Sequence, residues 1–329
     1  MMQAGPYTTS RDYTDEEIHS FVEDLESLPG GDLTVALLVG CGQRAISPLR
    51  DFLLNGKPRG VFQPRQRAVE ALGQLGAKDV LMEYLSQKRA IGDAVVRFGE
   101  EAVESSAARE LTRWRTDEVF QFLMNLGQRR MLPGVVDALR EFHRPDALPL
   151  LLRALEDDVC RPIAEEALRQ IANLCKPELF KAARSVDLEF EEKPPVRQKR
   201  RSIMRVLSDL DLDEEEWDEV RPMLEDSDKE IAIMAAEMAV DWAPEQEKQA
   251  AAQFLIACLG WAHWFLQIRI QDCLRRNYCR VHEVLQKECA LRRKAAKGEP
   301  LADPVLRILE RVQSTAKNSD PKENVRHAQ

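Results

Sequence analysis

Several things are scarce in this 329-residue chain, and each scarcity closes off a class of protein. Its seven cysteines (41, 160, 175, 258, 273, 279 and 289) form no Cys-x-x-Cys pair, so a structural zinc site has no soft ligands at short spacing. Fifteen glycines and 6% aromatics are too few for a β-sandwich or barrel built on Gly-rich turns. Serine is sparse, no Gly-x-Ser-x-Gly elbow occurs, and Ser105-Ser106 sits beside Ala107-Ala108 in a helical run suited to close packing. The five histidines (19, 143, 263, 282 and 327) stand far apart, with His282-Glu283 as the sole His-Glu pair. Four metal ligands cannot be assembled from such spacing. No catalytic constellation is visible; the expectation is a protein that is not an enzyme and carries no cofactor and no metal.

Two further absences concern location. Met1 to Asp15 shows no apolar run behind a basic start, so no secretory leader is expected. An odd number of thiols, with Cys258 and Cys273 inside apolar helical runs, reads as reduced core cysteine and hence a cytoplasmic protein. Ala250 to Ile268 approaches the length of a bilayer span, but it contains Gln253, His263 and Gln267 with Gly260 in its middle. Two buried helices meeting at Gly260 account for it, and no membrane insertion is expected.

What the chain does have is helical periodicity. Apolar residues recur at spacings of three and four: Ala68, Ala71, Leu72, Leu75; Leu148, Leu151, Leu152, Leu155; Ile163, Ala167, Leu168, Ile171; Ile231, Met234, Ala235, Met238. Turn formers fall between the runs, at Gly76, Pro145, Asp157-Asp158, Pro177 and Asp226-Ser227-Asp228. The 44% apolar and 31% charged fractions are those of a folded domain, which rules out general disorder. The pieces also repeat. Ala68-Val69-Glu70-Ala71-Leu72 recurs as Ala164-Glu165-Glu166-Ala167-Leu168 and more loosely as Ala235-Ala236-Glu237-Met238-Ala239, the last two after a helix ending in Leu-Glu-Asp. A second recurring piece is Gly42-Gln43-Arg44-Ala45-Ile46 and Gly99-Glu100-Glu101-Ala102-Val103, each read as opening a helix.

With Arg65-Gln66-Arg67-Ala68-Val69-Glu70-Ala71-Leu72 as its best match, this pattern resembles HEAT repeats, in particular the HEAT-like repeats named after phycobilisome lyases. The stretch Asp226 to Met238 is the next match, and the resemblance spans residues 42–180 and 213–245. It implies an all-α, curved α-solenoid of five to seven antiparallel helix pairs, with the second helices on the concave side. The expected organisation is an N-terminal segment with a capping helix (1–30), a first repeat array (31–185), a linker around Pro194-Pro195 (186–198), a second, less regular array (199–316) and a disordered tail (317–329).

Leu33 to Ala45 passes through Gly40-Cys41-Gly42-Gln43-Arg44-Ala45, which fits Gly-x-Gly-x-x-Ala after an apolar run. A dinucleotide site needs an acid about 20 residues on and a second strand. Lys57-Pro58-Arg59-Gly60 supplies neither, so a repeat turn is the better reading. HEAT-like deoxyhypusine hydroxylases carry several His-Glu pairs on successive repeats, and this chain departs from that pattern. HEAT-like alkylpurine DNA glycosylases converge an acid and aromatics on one pocket; Asp241-Trp242 and Arg113-Trp114 do not align with it, and nothing is carried over.

Charge is the most informative signal in a chain of net −9. Lys193, Arg197, Lys199, Arg200, Arg201 and Arg205 form a run without an acid, the sign reverses from Asp209 to Glu247, and Arg269, Arg275, Arg276, Arg280, Lys287, Arg292, Arg293, Lys294 and Lys297 restore a basic stretch. One reading is a phosphate-contacting surface, with Trp261, Trp264 and Tyr278 able to stack on bases. The other is a set of solvated helix faces. The leading functional expectation is a non-catalytic scaffold or adaptor holding a protein partner on a concave face. A nucleic-acid-binding solenoid using 197–205 and 269–297 stands second, and a lyase-type enzyme subunit third.

Overall fold

Thr14 starts the first helix by a reciprocal exchange: its hydroxyl accepts the Glu17 N–H, and the Glu17 carboxylate accepts the Thr14 N–H. Similar starts recur wherever the sequence offers them. Asp93, Thr116, Asp213 and Asp228 cap helices with their side chains, and proline occupies the first turn of others, at Pro64, Pro133, Pro177 and Pro194. In the computed structural model, residues 13–27, 30–184, 193–295 and 303–318 are described. They form eighteen α-helices joined by short turns and 3-10 segments, and no strand occurs among the described residues.

The chain divides into two compact units, Met1–Ile171 and Ala172–Gln329. In the first, α1 (Asp15–Asp24), α3 (Ile46–Asn55), α5 (Lys78–Ser86), α7 (Asp117–Arg129) and α9 (Leu148–Ala154) alternate with α2 (Gly31–Gly40), α4 (Gln63–Gln74), α6 (Ala94–Glu110), α8 (Pro133–Arg140) and α10 (Arg161–Ile171). Each odd-numbered helix packs on the even-numbered helix that follows it. Even helices also pack on even, and odd on odd, so the unit is five hairpins in two rows. The second unit holds α11 (Lys176–Ala183), α12 (Pro194–Leu207), α13 (Glu214–Val220), α14 (Lys229–Trp242), α15 (Glu245–Cys258), α16 (Trp264–Arg276), α17 (Tyr278–Ala295) and α18 (Pro304–Asn318). Here α12, α14, α16 and α18 form the even row.

Packing follows the apolar register. On α4 the buried side chains include Ala68, Val69, Ala71 and Leu72, the residues of the best-matching motif. Small residues set the distance between even helices in the first unit. A methyl group on Gly134 of α8 would fall on the backbone of Ser105 in α6, and one on Gly73 of α4 would fall on the Glu110 carboxylate. Gly76, at φ +80°, closes α4: its own N–H reaches the Gly73 carbonyl and the Ala77 N–H reaches the Leu72 carbonyl at 2.9 Å. In the second unit α14 is buried at every position from Ile231 to Val240, as suits a helix with neighbours on all sides.

Several sequence expectations change. Hairpins recur more often than HEAT-length repeats allow: the even helices of the first unit start at 31, 63, 94, 133 and 161, and eighteen helices make nine pairs rather than five to seven. Gly99 does not open a helix. Asp93 caps α6 several residues earlier, and Gly99 lies inside α6, where a Cβ would stand 3.1 Å from the Arg59 carbonyl. Of the 186–198 linker, residues 186–192 lie outside the described residues, while Pro194-Pro195 starts α12 because proline fits a first turn that has no N–H bond to lose. The division between units falls at Ile171, ahead of that segment. Residues 1–12 and most of the 317–329 tail also lie outside the described residues.

Gly31–Gly40 and Gly42–Ala45, the stretch resembling a nucleotide fingerprint, are an α-helix and a 3-10 turn in which Gly42 takes φ +64°. The 250–268 run is two helices with a turn over 259–263, but the second is not buried as expected: Trp264, Phe265 and Ile268 at its start face solvent. No helix among the described residues is long and apolar enough to cross a membrane. All seven cysteines are free thiols. Burial pushes Cys258 up to about 11 and Cys160 up to about 12, which leaves both protonated and unreactive at neutral pH.

Candidate partner-binding surfaces

The basic blocks were the sequence's leading site candidates, and the structure occupies most of them. Arg200 of α12 is 2% exposed; its guanidinium donates to the Ala183 carbonyl at 2.8 Å and pairs with Asp226. Arg201 makes two hydrogen bonds to Asp228, at 2.8 and 3.0 Å, and also pairs with Glu230, which Arg205 approaches at 3.5 Å. The acidic run 226–230 is thus the counter-charge of the basic run 197–205. Arg197 and Lys199 are half-buried on the same helix. Asp228 also caps α14 through the Glu230 N–H. Its burial favours the neutral acid, but the Arg201 guanidinium and two backbone N–H groups outweigh that and hold its carboxyl below the usual range.

The third block is looser. Arg292 pairs with Glu288 and Asp303, Arg293 with Glu310, and Arg275 with Asp272. Arg280 donates to the Asp241 carbonyl. Arg276 and Lys294 are exposed and have no salt-bridge partner among the described residues. Further in, the Arg269 guanidinium turns onto buried Glu237 at 2.5 Å, while the second Glu237 carboxylate oxygen has no partner. Burial pushes the Glu237 carboxyl up. Among the described residues no cluster of His, Cys, Asp and Glu could hold a metal ion.

Periodicity missed a different surface. On the first unit, Val61, Val95, Phe98 and Val159 are large apolar side chains between 58% and 69% exposed. They come from the chain entering α4, from α6 and from the chain entering α10. Three clefts accompany them. One of about 580 Å³ is lined by Phe52, Val61, Pro64, Lys57 and Arg59. Another of about 380 Å³ is lined by Phe98, Val159, Met131, Pro133 and the acids Glu101 and Asp157. A third of about 400 Å³, lined by Gln66, Arg67, Ser106 and Arg109, lies between α4 and α6. Val95 stands next to Gly60 at the rim of the first cleft, where a Cβ would meet its methyl at 3.3 Å. The polar side chains of the third are held in place. The Gln66 amide donates to Ser106 Oγ at 3.0 Å, Arg109 bonds Asp137 at 2.8 Å, and Arg67 bonds Asp32 at 3.0 Å.

Beneath the 580 Å³ cleft lies a buried charge network. A single Glu100 oxygen accepts from Arg65 at 3.0 Å, Arg89 at 2.5 Å and the Tyr84 hydroxyl at 2.8 Å. The same two arginines donate to the Leu53 carbonyl at the end of α3, and Arg65 also reaches Gly56. Two cations there face a helix C-terminus, whose carbonyls favour positive charge. Burial, with the neighbouring Glu100 carboxylate, pushes the Tyr84 hydroxyl far above its ordinary range. The network ties the floor of the cleft to the end of α3.

A second exposed apolar surface lies on the other unit, where Trp261, Trp264, Phe265 and Ile268 project from the α15–α16 turn and the start of α16. No protein-family model matches the chain, and no curated protein matches it significantly.

Proposed function

We propose that the chain is a non-catalytic, HEAT-like α-solenoid whose even-numbered row in the first unit is a concave surface that holds a protein partner. The observation carrying this reading is the set of outward-facing apolar side chains on the second, third and fifth hairpins, Val61, Val95, Phe98 and Val159, beside clefts large enough to take partner side chains. Apolar groups left in water at this density mark contact surfaces, because covering each one returns about 1.5–3 kcal/mol. The row geometry supports concavity. Gly73 and Gly134 let even helices approach closely, and a stack bends toward its more tightly spaced row.

The nucleic-acid reading has thinner support, since six of its eleven candidate cations (Arg200, Arg201, Arg205, Arg275, Arg292 and Arg293) already hold carboxylates. The test is affinity capture with the full chain, wild type against Phe98→Asp with Val159→Asp, at moderate salt. A partner retained by the wild type and lost by the variant is the expected result. Identical capture by both forms, or binding that titrates away with salt as polyanion binding does, overturns the proposal.

A further inference from the structure

Trp261, Trp264, Phe265 and Ile268 are between 47% and 71% exposed, four large apolar side chains within eight residues. They sit at the end of a helical hairpin, on the turn over 259–263 and the first turns of α16, which makes them an edge and not a groove. No residue from Gln249 to Ile268 carries a formal charge, with His263 neutral. Farther along, the outward stripe of α16 changes character: Asp272 is exposed about two helical turns from Trp264, and Arg275 and Arg276 about three turns from it, or about 16–18 Å along the axis. The surrounding chain is basic within an acidic protein, with twelve Lys and Arg against six Asp and Glu from Trp264 to Asn318.

We propose that this edge docks on an anionic lipid surface. Trp261, Trp264, Phe265 and Ile268 enter the boundary between headgroups and acyl chains, and Arg275 and Arg276 stay among the lipid phosphates. Indole rings favour that boundary, because the ring leaves water while its N–H remains hydrated. Cations beside an apolar helix face add attraction to anionic headgroups. The exposed Arg275–Asp272 pair, 2.9 Å apart, is the kind worth little in water and gives way to a phosphate. A single-stranded nucleic acid fits less well. Stacked bases carry phosphates alongside, which calls for cations interleaved with the rings. The cation nearest the rings in sequence, Arg269, instead faces inward to Glu237. The contact stays at the surface, since no helix among the described residues is long and apolar enough to span a bilayer. This proposal concerns the second unit and does not rest on the partner surface of the first.

The experiment is co-sedimentation of the full chain with vesicles of phosphatidylcholine alone and of phosphatidylcholine containing phosphatidylserine, with tryptophan emission read in parallel. The expected result is partition onto the serine-containing vesicles with a blue shift, and much weaker partition onto phosphatidylcholine. Trp264→Ala with Phe265→Ala lowers partition about tenfold or more. Arg275→Gln with Arg276→Gln lowers it by a similar factor and removes the preference for phosphatidylserine. All four positions face solvent, so an unchanged melting midpoint confirms folding. Quenching of wild-type tryptophan by brominated lipid needs no substitution at all. Absence of partition onto phosphatidylserine vesicles overturns the proposal, as does partition indifferent to Trp264→Ala with Phe265→Ala. Binding of a single-stranded oligonucleotide without vesicle binding reassigns the edge to nucleic acid. A dimer that the aromatic substitutions dissociate, again without vesicle binding, reassigns it to a second copy.

Discussion

The two units use the same construction, hairpins in rows, with different packing materials. Thirteen of the fifteen glycines lie in the first unit, where several stand at points of close approach between helices. The second unit has only Gly260 and Gly298, and its central helix is packed with Met234, Ala235, Ala236, Met238 and Ala239. Their charges differ as well. In the first unit ion pairs tie successive hairpins across exposed faces, as in Arg50–Glu83 and Arg109–Asp137, over buried carboxylates at Glu100 and Glu104. In the second, a basic helix docks onto the acidic turn of the next hairpin through Arg200, Arg201 and Arg205. Tight backbone contact shapes one unit and complementary charge registers the other. In the first unit clefts open beside the close-packed even helices, while in the second the basic block is largely taken up by the fold.

The sharpest way to break this contrast is at Glu100. Glu100→Ala leaves Arg65, 4% exposed, and the half-buried Arg89 beside each other without the carboxylate they share, and it strands the Tyr84 hydroxyl. A loss of about 3–5 kcal/mol is expected from removing one member of a buried charge network. Urea unfolding followed by circular dichroism measures it, and hydrogen exchange should locate the loosening in α3 to α6. Glu100→Gln, which keeps one accepting oxygen but not the charge, should lose less. Equal losses in the two variants would show that the negative charge, which both remove, carries the whole effect and the accepting oxygen none.

The repeat registers were legible from sequence because small and apolar residues at helical spacing can bury only one face. Ala68, Ala71 and Leu72 are buried as that pattern requires. Gly99 was misread because a glycine before an apolar run looks like a helix start, whereas here it accommodates the Arg59 carbonyl from a neighbouring loop. The basic blocks were legible as composition only. That Arg201 meets Asp228 across 27 residues depends on how α12 stands against α14, which no local pattern encodes. Phe98 escaped notice since an apolar residue in a helical run looks like core. Its one signal was register, for Phe98 lies off the face that carries Gly99, Val103 and Ala107, whereas Val95 continues that stripe and is exposed in the first turn of α6.

On the second unit the comparable break is Asp228→Ala, which removes a helix cap and the Arg201 partner together. A loss of about 2–3 kcal/mol is expected at neutral pH. The pH dependence has a definite sign. The folded carboxyl is held below its ordinary value, so its stabilisation is fully present above the unfolded pKa near 4 and is lost as pH falls through the folded value. The difference between wild type and variant should therefore be constant from pH 7 to about pH 5 and shrink below about pH 4. A gap that stays constant down to acid pH would mean that packing, not the ionised carboxylate, carries the effect.

The smallest expected effects come from a pair of glycines, and they bear most directly on the packing contrast. Gly134→Ala places a methyl on the backbone of Ser105, so α6 and α8 must move apart; about 1–3 kcal/mol is expected, the cost of overpacking a fixed contact. Gly260→Ala in the second unit meets nothing closer than 3.6 Å, and its φ is not in the left-handed region. Its effect should lie within about 0.5 kcal/mol of zero, because the lost flexibility of the unfolded chain offsets any slight crowding. Because the even row owes its close spacing to Gly134, Gly134→Ala should also loosen the clefts beside α6, seen as faster hydrogen exchange across Phe98 to Ser106. Equal stability of the two variants, with no change in exchange, would show that the first unit tolerates wider spacing and that glycine does not set the distance between its helices.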